Sequence, residues 1–453
     1  GAWASAPDRG EQQTPVYTDI LSRFFISTPA WLAFAVLALS MLIAFFAFWR
    51  SGAESRWRSF AVPIVSLVFS TLLGCAVWAA FEFVLRPGDA YWWAHPELSR
   101  AWCIALGLLG APFAMLALGG KTSAAQVEAG GLFWFAALGA LLTLVLPGIS
   151  ILFAPSAAIY ALGVLAGFAW KPAQPITAVL AAIVALVIWA PMLALDELAL
   201  GFQFPFANTA LFALAALPWL GALARLQAGA RWRAPALALS GAALACIAAA
   251  AFAPSATRER PLPLNIGYLY DATTNQGRIL AGGAQRTLPR ELSALQFTPQ
   301  IVFPGDTDPY WAAPTQAQPL QGPALEDIAI TPQQGGARTL HARLRTNGAS
   351  RIFLRIPRDA AATRVRMSGA QTNFADTGSS ADTDDYVALD CQGRACDGAE
   401  IEMTLGAAVT DWSIIGIFPG PAASAQAALA ARPPTRTTVH LGDNAITLSN
   451  TRI

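Results

Sequence analysis

PAWLAFAVLALSMLIAFFAFWR, residues 29–50, carries no charged side chain until Arg50 closes it. Some 20 apolar residues match a bilayer hydrocarbon core roughly 30 Å thick, so the stretch predicts a membrane-crossing helix. Comparable stretches recur at roughly 60–85, 101–118, 131–147, 149–170, 176–195, 205–224 and 234–253. Within lipid only helices or closed barrels satisfy every backbone amide and carbonyl. The expected fold is a multi-pass α-helical membrane domain of about eight transmembrane helices. Pro147-Gly148 is expected to turn the chain between the fourth and fifth.

Beyond Arg258-Glu-Arg260-Pro261-Leu-Pro263 the period changes from helical to alternating. Leu264–Tyr270, Leu340–Arg345, Arg351–Ile356, Arg364–Met367 and Glu400–Leu405 alternate apolar and polar residues. Such runs, bounded by Gly, Pro, Asn and Asp, predict half-buried strands. The expected tail is a mostly antiparallel β-sandwich-like soluble domain. Residues 415–437, rich in Ala, Pro and Gly, predict a loop or short helix, and Thr437–Leu441 with Asn444–Leu448 a closing hairpin.

Composition narrows the function. Charged residues make up 13% of the chain and hydrophobic ones 55%, which fits a bilayer partner. The 29 basic and 28 acidic residues leave no electrostatic footprint for nucleic acid. Three histidines supply few metal or acid–base schemes. An Ala- and Arg-rich, Lys-poor composition points to a bacterial inner membrane with a periplasmic tail.

Basic residues collect in cytoplasmic connections. Arg50, Arg56 and Arg58 follow the first span, Lys121 the third, Lys171 the fifth, and Arg225, Arg231 and Arg233 the seventh. The alternate connections carry Asp89, Trp92, Trp93 and Glu97, then Asp196 and Glu197. Both ends of the chain are therefore expected on the non-cytoplasmic side. Tyr91, Trp92, Trp93, Trp170 and Trp232 fall at span ends, as an interfacial aromatic belt requires.

Candidate site residues are few. Glu82 and Arg86 stand one helical turn apart near a span end, as a local polar pair or part of a proton or substrate path. Asp196 and Glu197 form an outer-face acidic pair, read as a solvated loop or an outward-facing polar site. Cys391 and Cys396 would close a small disulfide loop in an oxidising compartment and remain free thiols otherwise. Cys75, Cys103 and Cys246 lie in apolar spans, where a thiol packs as a small hydrophobe. Asp382, Asp384 and Asp385 lack the pattern of a calcium loop and read as a solvated turn. Asp306-Thr-Asp308-Pro-Tyr310-Trp311 reads as an aromatic turn, and His341 and His440 as sheet-face residues. His95-Pro96-Glu97 has no partner ligands nearby in sequence. No catalytic or metal-binding motif emerges.

Two passages carry a resemblance. Val16-Tyr17-Thr18-Asp19-Ile20-Leu21-Ser22-Arg23-Phe24-Phe25-Ile26-Ser27-Thr28-Pro29 runs into the first span. It resembles the V-Y-F-D-x-L-G-x-F-x-x-x-Y-P stretch joining peptidase to membrane region in membrane-bound zinc peptidases of family M28. That family includes the endoplasmic-reticulum metallopeptidases, the fungal vacuolar membrane proteases and bacterial relatives. Ser22 replaces the usual Gly and Thr28 the usual Tyr. Arg260-Pro261-Leu-Pro-Leu-Asn265-Ile-Gly-Tyr268-Leu-Tyr270-Asp271 resembles the opening of the family's C-terminal non-cytoplasmic domain.

The resemblance implies three parts: a juxtamembrane linker over 1–28, a transmembrane domain over 29–254 and a non-cytoplasmic β-rich domain over 255–453. It also implies a zinc-dependent aminopeptidase domain upstream in the same polypeptide, acting on peptide substrates. No residue here matches the family's zinc ligands, so the cofactor belongs to the complete enzyme and not to this chain. The competing expectation is a transporter or channel with an extracytoplasmic β domain. A structural or assembly protein of the membrane is a third.

Overall fold

The computed structural model describes residues 15–20, 24–51, 56–118, 122–226, 232–282, 287–374, 385–439 and 442–453. Ser22, Lys121, Arg231, Asp382, Asp384 and His440 lie outside them, as does the side chain of Arg225. The chain divides into two compact units, Gly1–Ser255 and Ala256–Ile453.

The first unit opens with an antiparallel hairpin of Pro15–Ile20 and Phe24–Pro29, which passes directly into α1 (Ala30–Arg50). Next come α2 (Arg56–Ala80), continued by a π turn at Phe81–Leu85, α3 (Pro96–Leu118) and α4 (Ala124–Val145). After a 3₁₀ turn at Pro147–Leu152 follow α5 (Ala154–Ala166) and α6 (Ala173–Leu200). Then come α7 (Pro205–Ala216), a 3₁₀ turn at Leu217–Trp219, α8 (Leu220–Leu226) and α9 (Arg233–Phe252).

Among the described residues six helices are long and apolar enough to cross a membrane: α1, α2 with its π turn, α3, α4, α6 and α9. Six of the roughly eight expected spans thus form as single long helices. The expected span 149–170 loses its first turn to the 3₁₀ segment, leaving α5 with 13 residues. At about 1.5 Å per residue such a helix covers roughly 20 Å. The expected span 205–224 is broken between α7 and α8, where Pro218 lacks an amide hydrogen for the helical ladder. Two expected boundaries also move. The fourth helix starts at Ala124 and draws Gln126 and Glu128 inside, while the sixth runs to Leu200 and contains Asp196 and Glu197.

Small residues let these helices approach, as packing without a strong hydrophobic drive requires. A Cβ on Gly110 of α3 would fall 2.1 Å from the Ser66 carbonyl oxygen of α2. Nearby, Ser70 Oγ donates to the Gly107 carbonyl at 3.0 Å and accepts from the Gly110 amide at 3.2 Å. The aromatic belt is redistributed. Tyr91 and Trp232 are buried in the core, whereas Trp31, Trp49, Trp57, Trp93 and Trp170 are exposed.

The second unit holds an eight-stranded mixed sheet and a five-stranded antiparallel sheet. The larger runs Tyr386–Gln392, Arg351–Pro357, Asp411–Pro419, Asn444–Arg452, Asn265–Asp271, Gln276–Gly282, Tyr310–Thr315 and Thr298–Gln300. The smaller runs Ala370–Asn373, Arg364–Met367, Ala399–Leu405, Arg338–Arg345 and Ala324–Pro332. Leu340, Leu344, Val365 and Met403 from the smaller sheet share one core with Ile352, Leu354, Trp412 and Ile414 from the larger.

The expected closing hairpin is not formed. Asn444–Arg452 lies antiparallel to Asp411–Pro419 on one side and parallel to Asn265–Asp271 on the other. Thr437 pairs in parallel with Pro263. Alternation reports which face of a strand is buried but names no neighbour, so a partner far away in sequence took the place of the adjacent one. The expected short helix within 415–437 is Gln426–Ala430, whose Ala428 shares a core with Ile266, Tyr268 and Ile279, whereas residues 415–419, expected in the same loop or helix, belong to the strand Asp411–Pro419.

Candidate functional site

The charged side chains of the helical unit that make described hydrogen bonds lie toward the helix ends. One end holds the starts of α3 and α7 and the ends of α2, α6 and α9. There Arg86 does more than stand one turn from Glu82. Its Nε and Nη2 donate to Asp89 Oδ2 at 3.0 and 2.6 Å, Nη2 donates to Ser255 Oγ, and Nη1 donates to the carbonyls of Ala250 and Ala253. Ser255 Oγ in turn donates to Asp89 Oδ2 at 2.7 Å. Arg86 thus ties α2 to the two carbonyls at the C-terminal end of α9, where a cation is favoured.

Beside this clasp Phe81 stacks on Tyr91, with ring centroids 3.9 Å apart. Burial first, then Cys103 and Glu82, push the Tyr91 phenol above its usual range. Its buried hydroxyl has no hydrogen-bond partner among the described residues.

Asp196 and Glu197 reach different partners. Successive helical residues point about 100° apart, and each meets a different neighbour. Asp196 Oδ2 accepts from Asn208 Nδ2 of α7 at 2.7 Å. Glu197 takes a two-pronged bond from Arg100 of α3, with Nε on Oε2 at 2.7 Å and Nη2 on Oε1. Gly201, at a φ of 60°, ends α6 by donating its amide to the Glu197 carbonyl at 2.9 Å.

The Arg100–Glu197 pair closes one end of an apolar groove of about 660 Å³ lined by α3, α6, α7, α8 and α9. Trp219 and Trp232 line it near the other end. The space arises from small residues: Ala111, Ala190, Ala194, Ala215 and Ala216 stand where larger side chains would fill it. Pro112, also on the wall, interrupts the α3 ladder.

Toward the opposite end lies a polar network whose members are too far apart in sequence to mark themselves as a site. Glu128 of α4 is 1% exposed. Gln174 Nε2 of α6 donates to Glu128 Oε1 at 3.2 Å and to Tyr160 Oη of α5 at 3.1 Å. Gly221 of α8 presses on the same carboxylate stem, with its absent Cβ 2.2 Å from the Glu128 Cβ. On another face of α4, Ser59 Oγ donates to Gln126 Oε1 at 3.0 Å, and Gln126 Nε2 has no partner among the described residues. The available signal was a single carboxylate inside an otherwise apolar run, followed by Gly130-Gly131.

In the β unit Cys391 and Cys396 are joined as a disulfide. His341 lies exposed on the smaller sheet opposite Glu402, which also faces Arg366. With Arg343, Glu400 and Asp327 these line a polar concavity of about 550 Å³. Alternating charges across neighbouring strands stabilise a solvated sheet face. His95 Nδ1 meets Glu97 Oε1 at 3.2 Å in an exposed contact. Among the described residues no three His, Cys, Asp or Glu side chains converge to hold a metal ion. They therefore do not fit the zinc that the M28 resemblance implies. The chain matches no protein-family model, no curated protein and no solved structure.

Proposed function

We propose that this chain forms the membrane block and the extracytoplasmic β unit of an M28-like zinc aminopeptidase whose catalytic domain precedes it in the polypeptide. The observation that carries the proposal is the join. The stretch resembling the family's junction folds as a paired hairpin, Pro15↔Pro29 to Ile20↔Phe24, and leads into α1 without a break. A strand formed at Asn265–Asp271, within the second resembling passage, supports it further.

In this role the helices hold the peptidase at the membrane face while the β unit stands outside the cytoplasm, in a bacterial periplasm. The loop charges and the Cys391–Cys396 bridge support that sidedness. Peptide substrates and zinc belong to the upstream domain. The test is zinc-dependent hydrolysis of aminoacyl p-nitroanilides by the full reading frame and by this chain alone. Activity is expected from the full frame only. Chelator-sensitive activity in the isolated chain, or none in the full frame, overturns the proposal.

A second reading, a transporter or channel with an extracytoplasmic β domain, is favoured by one observation: the sealed Glu128 carboxylate. Ionisable side chains inside apolar helix bundles mark ion or proton paths by default. Proteoliposome flux that disappears with Glu128→Gln would support it, as would sensitivity to Glu82→Gln or Asp196→Asn. Flux equal to that of empty vesicles would dismiss it.

A further inference from the structure

We propose that the groove beside α3 holds one acyl chain of a phosphatidylethanolamine-type lipid, with the lipid phosphate on Arg100 and its ammonium group on Glu197. Three observations converge on this occupant. The wall is hydrocarbon, from Leu108 and Ala111 on α3 to Leu186 and Leu193 on α6. Water gains little in such a trough, and lipid tails are the abundant apolar alternative beside membrane-crossing helices.

Length is the second. From Arg100 to Pro112 the groove follows α3 for about 18 Å at 1.5 Å per residue. One leaflet of a roughly 30 Å hydrocarbon core is about 15 Å deep. The groove therefore accommodates the chain of a single leaflet and puts the charged pair at headgroup depth.

Charge is the third. At the mouth one cation stands beside an anion, and Glu97 adds a second carboxylate one turn before Arg100. Arg100 directs Nε and Nη2 to Glu197, and its guanidinium carries further N–H donors on Nη1. A phosphate can accept from Nη1 without breaking the existing bonds. The ammonium then donates to Glu197, which offers acceptor capacity only. A choline headgroup has no N–H for that bond, and a glycerol headgroup has no positive charge.

The test is native mass spectrometry of the full chain after delipidation. The chain is exposed to equal amounts of dioleoyl phosphatidylethanolamine, phosphatidylcholine and phosphatidylglycerol. One phosphatidylethanolamine per chain is expected, retained about tenfold over the other two. Arg100→Gln and Glu197→Gln are expected to lower its retention about tenfold. Ala190→Trp keeps the ion pair and fills the groove, so it is expected to abolish retention of every lipid at this site. It also decides the matter should either charge variant fail to fold. Equal retention of the three lipids, or retention indifferent to Ala190→Trp, overturns the proposal.

Discussion

Glu128 and Glu197 are both carboxylates within apolar helices, yet their surroundings differ. Glu128 is sealed between α4, α5, α6 and α8, with Gly221 against its stem and Gln174 as a donor. Glu197 keeps 19% of its side chain exposed and is bonded by an Arg100 that is 47% exposed. A sealed carboxylate cannot lose a partner without leaving an orphan, so it fixes how helices meet. An open one exchanges partners with whatever enters beside it. Burial, more than residue type, separates a packing device from a binding device.

The largest effect that would break this contrast is on stability. Glu128→Ala removes a buried side chain and one acceptor from Gln174, and is expected to cost about 2–4 kcal/mol. Glu197→Ala at the accessible pair should cost no more than about 1 kcal/mol. Thermal unfolding in detergent compares them directly, and equal losses would erase the distinction between sealed and open sites.

Next comes the fit around the sealed carboxylate. Gly221→Ala places a Cβ 2.2 Å from the Glu128 Cβ and 2.6 Å from its Cα, so α8 must shift. About 1–3 kcal/mol is expected from such overpacking, and a lowered melting temperature would report it. An unchanged melting temperature would mean that the contact is loose.

The smallest effect is Arg100→Lys, which keeps the charge and loses the two-pronged geometry. Stability should fall by no more than about 1 kcal/mol. A loss as large as that of Glu128→Ala would place the Arg100–Glu197 pair among the structural contacts.

The apolar runs of α1, α3 and α9 were legible because hydropathy over some 20 residues is local information. The polar sites were not, because their partners are remote. Glu128 meets Gln174 across 46 positions, and Glu197 meets Arg100 across 97. A carboxylate at the edge of an apolar stretch then reads as loop, which is why the fourth expected span begins after Glu128 and the sixth stops before Asp196. The break at Pro218 was hidden for a related reason: one proline within an apolar run either kinks a helix or ends it, and packing decides. Strand alternation in the β unit was legible as faces, while the parallel pairing of Asn444–Arg452 depends on a strand about 180 residues earlier in the chain.

That late strand bears on how the β unit comes into being. Asn444–Arg452 sits in the interior of the eight-stranded sheet, between strands from the start and from near the end of the unit. A polypeptide emerging in order from the ribosome holds both neighbours ready but cannot join them until residue 452 is out. Until then Asn265–Asp271 and Asp411–Pro419 each present an unpaired edge, the state in which strands seek foreign partners. Closure of the larger sheet is therefore a late step of high contact order, and it waits on residues 444–452.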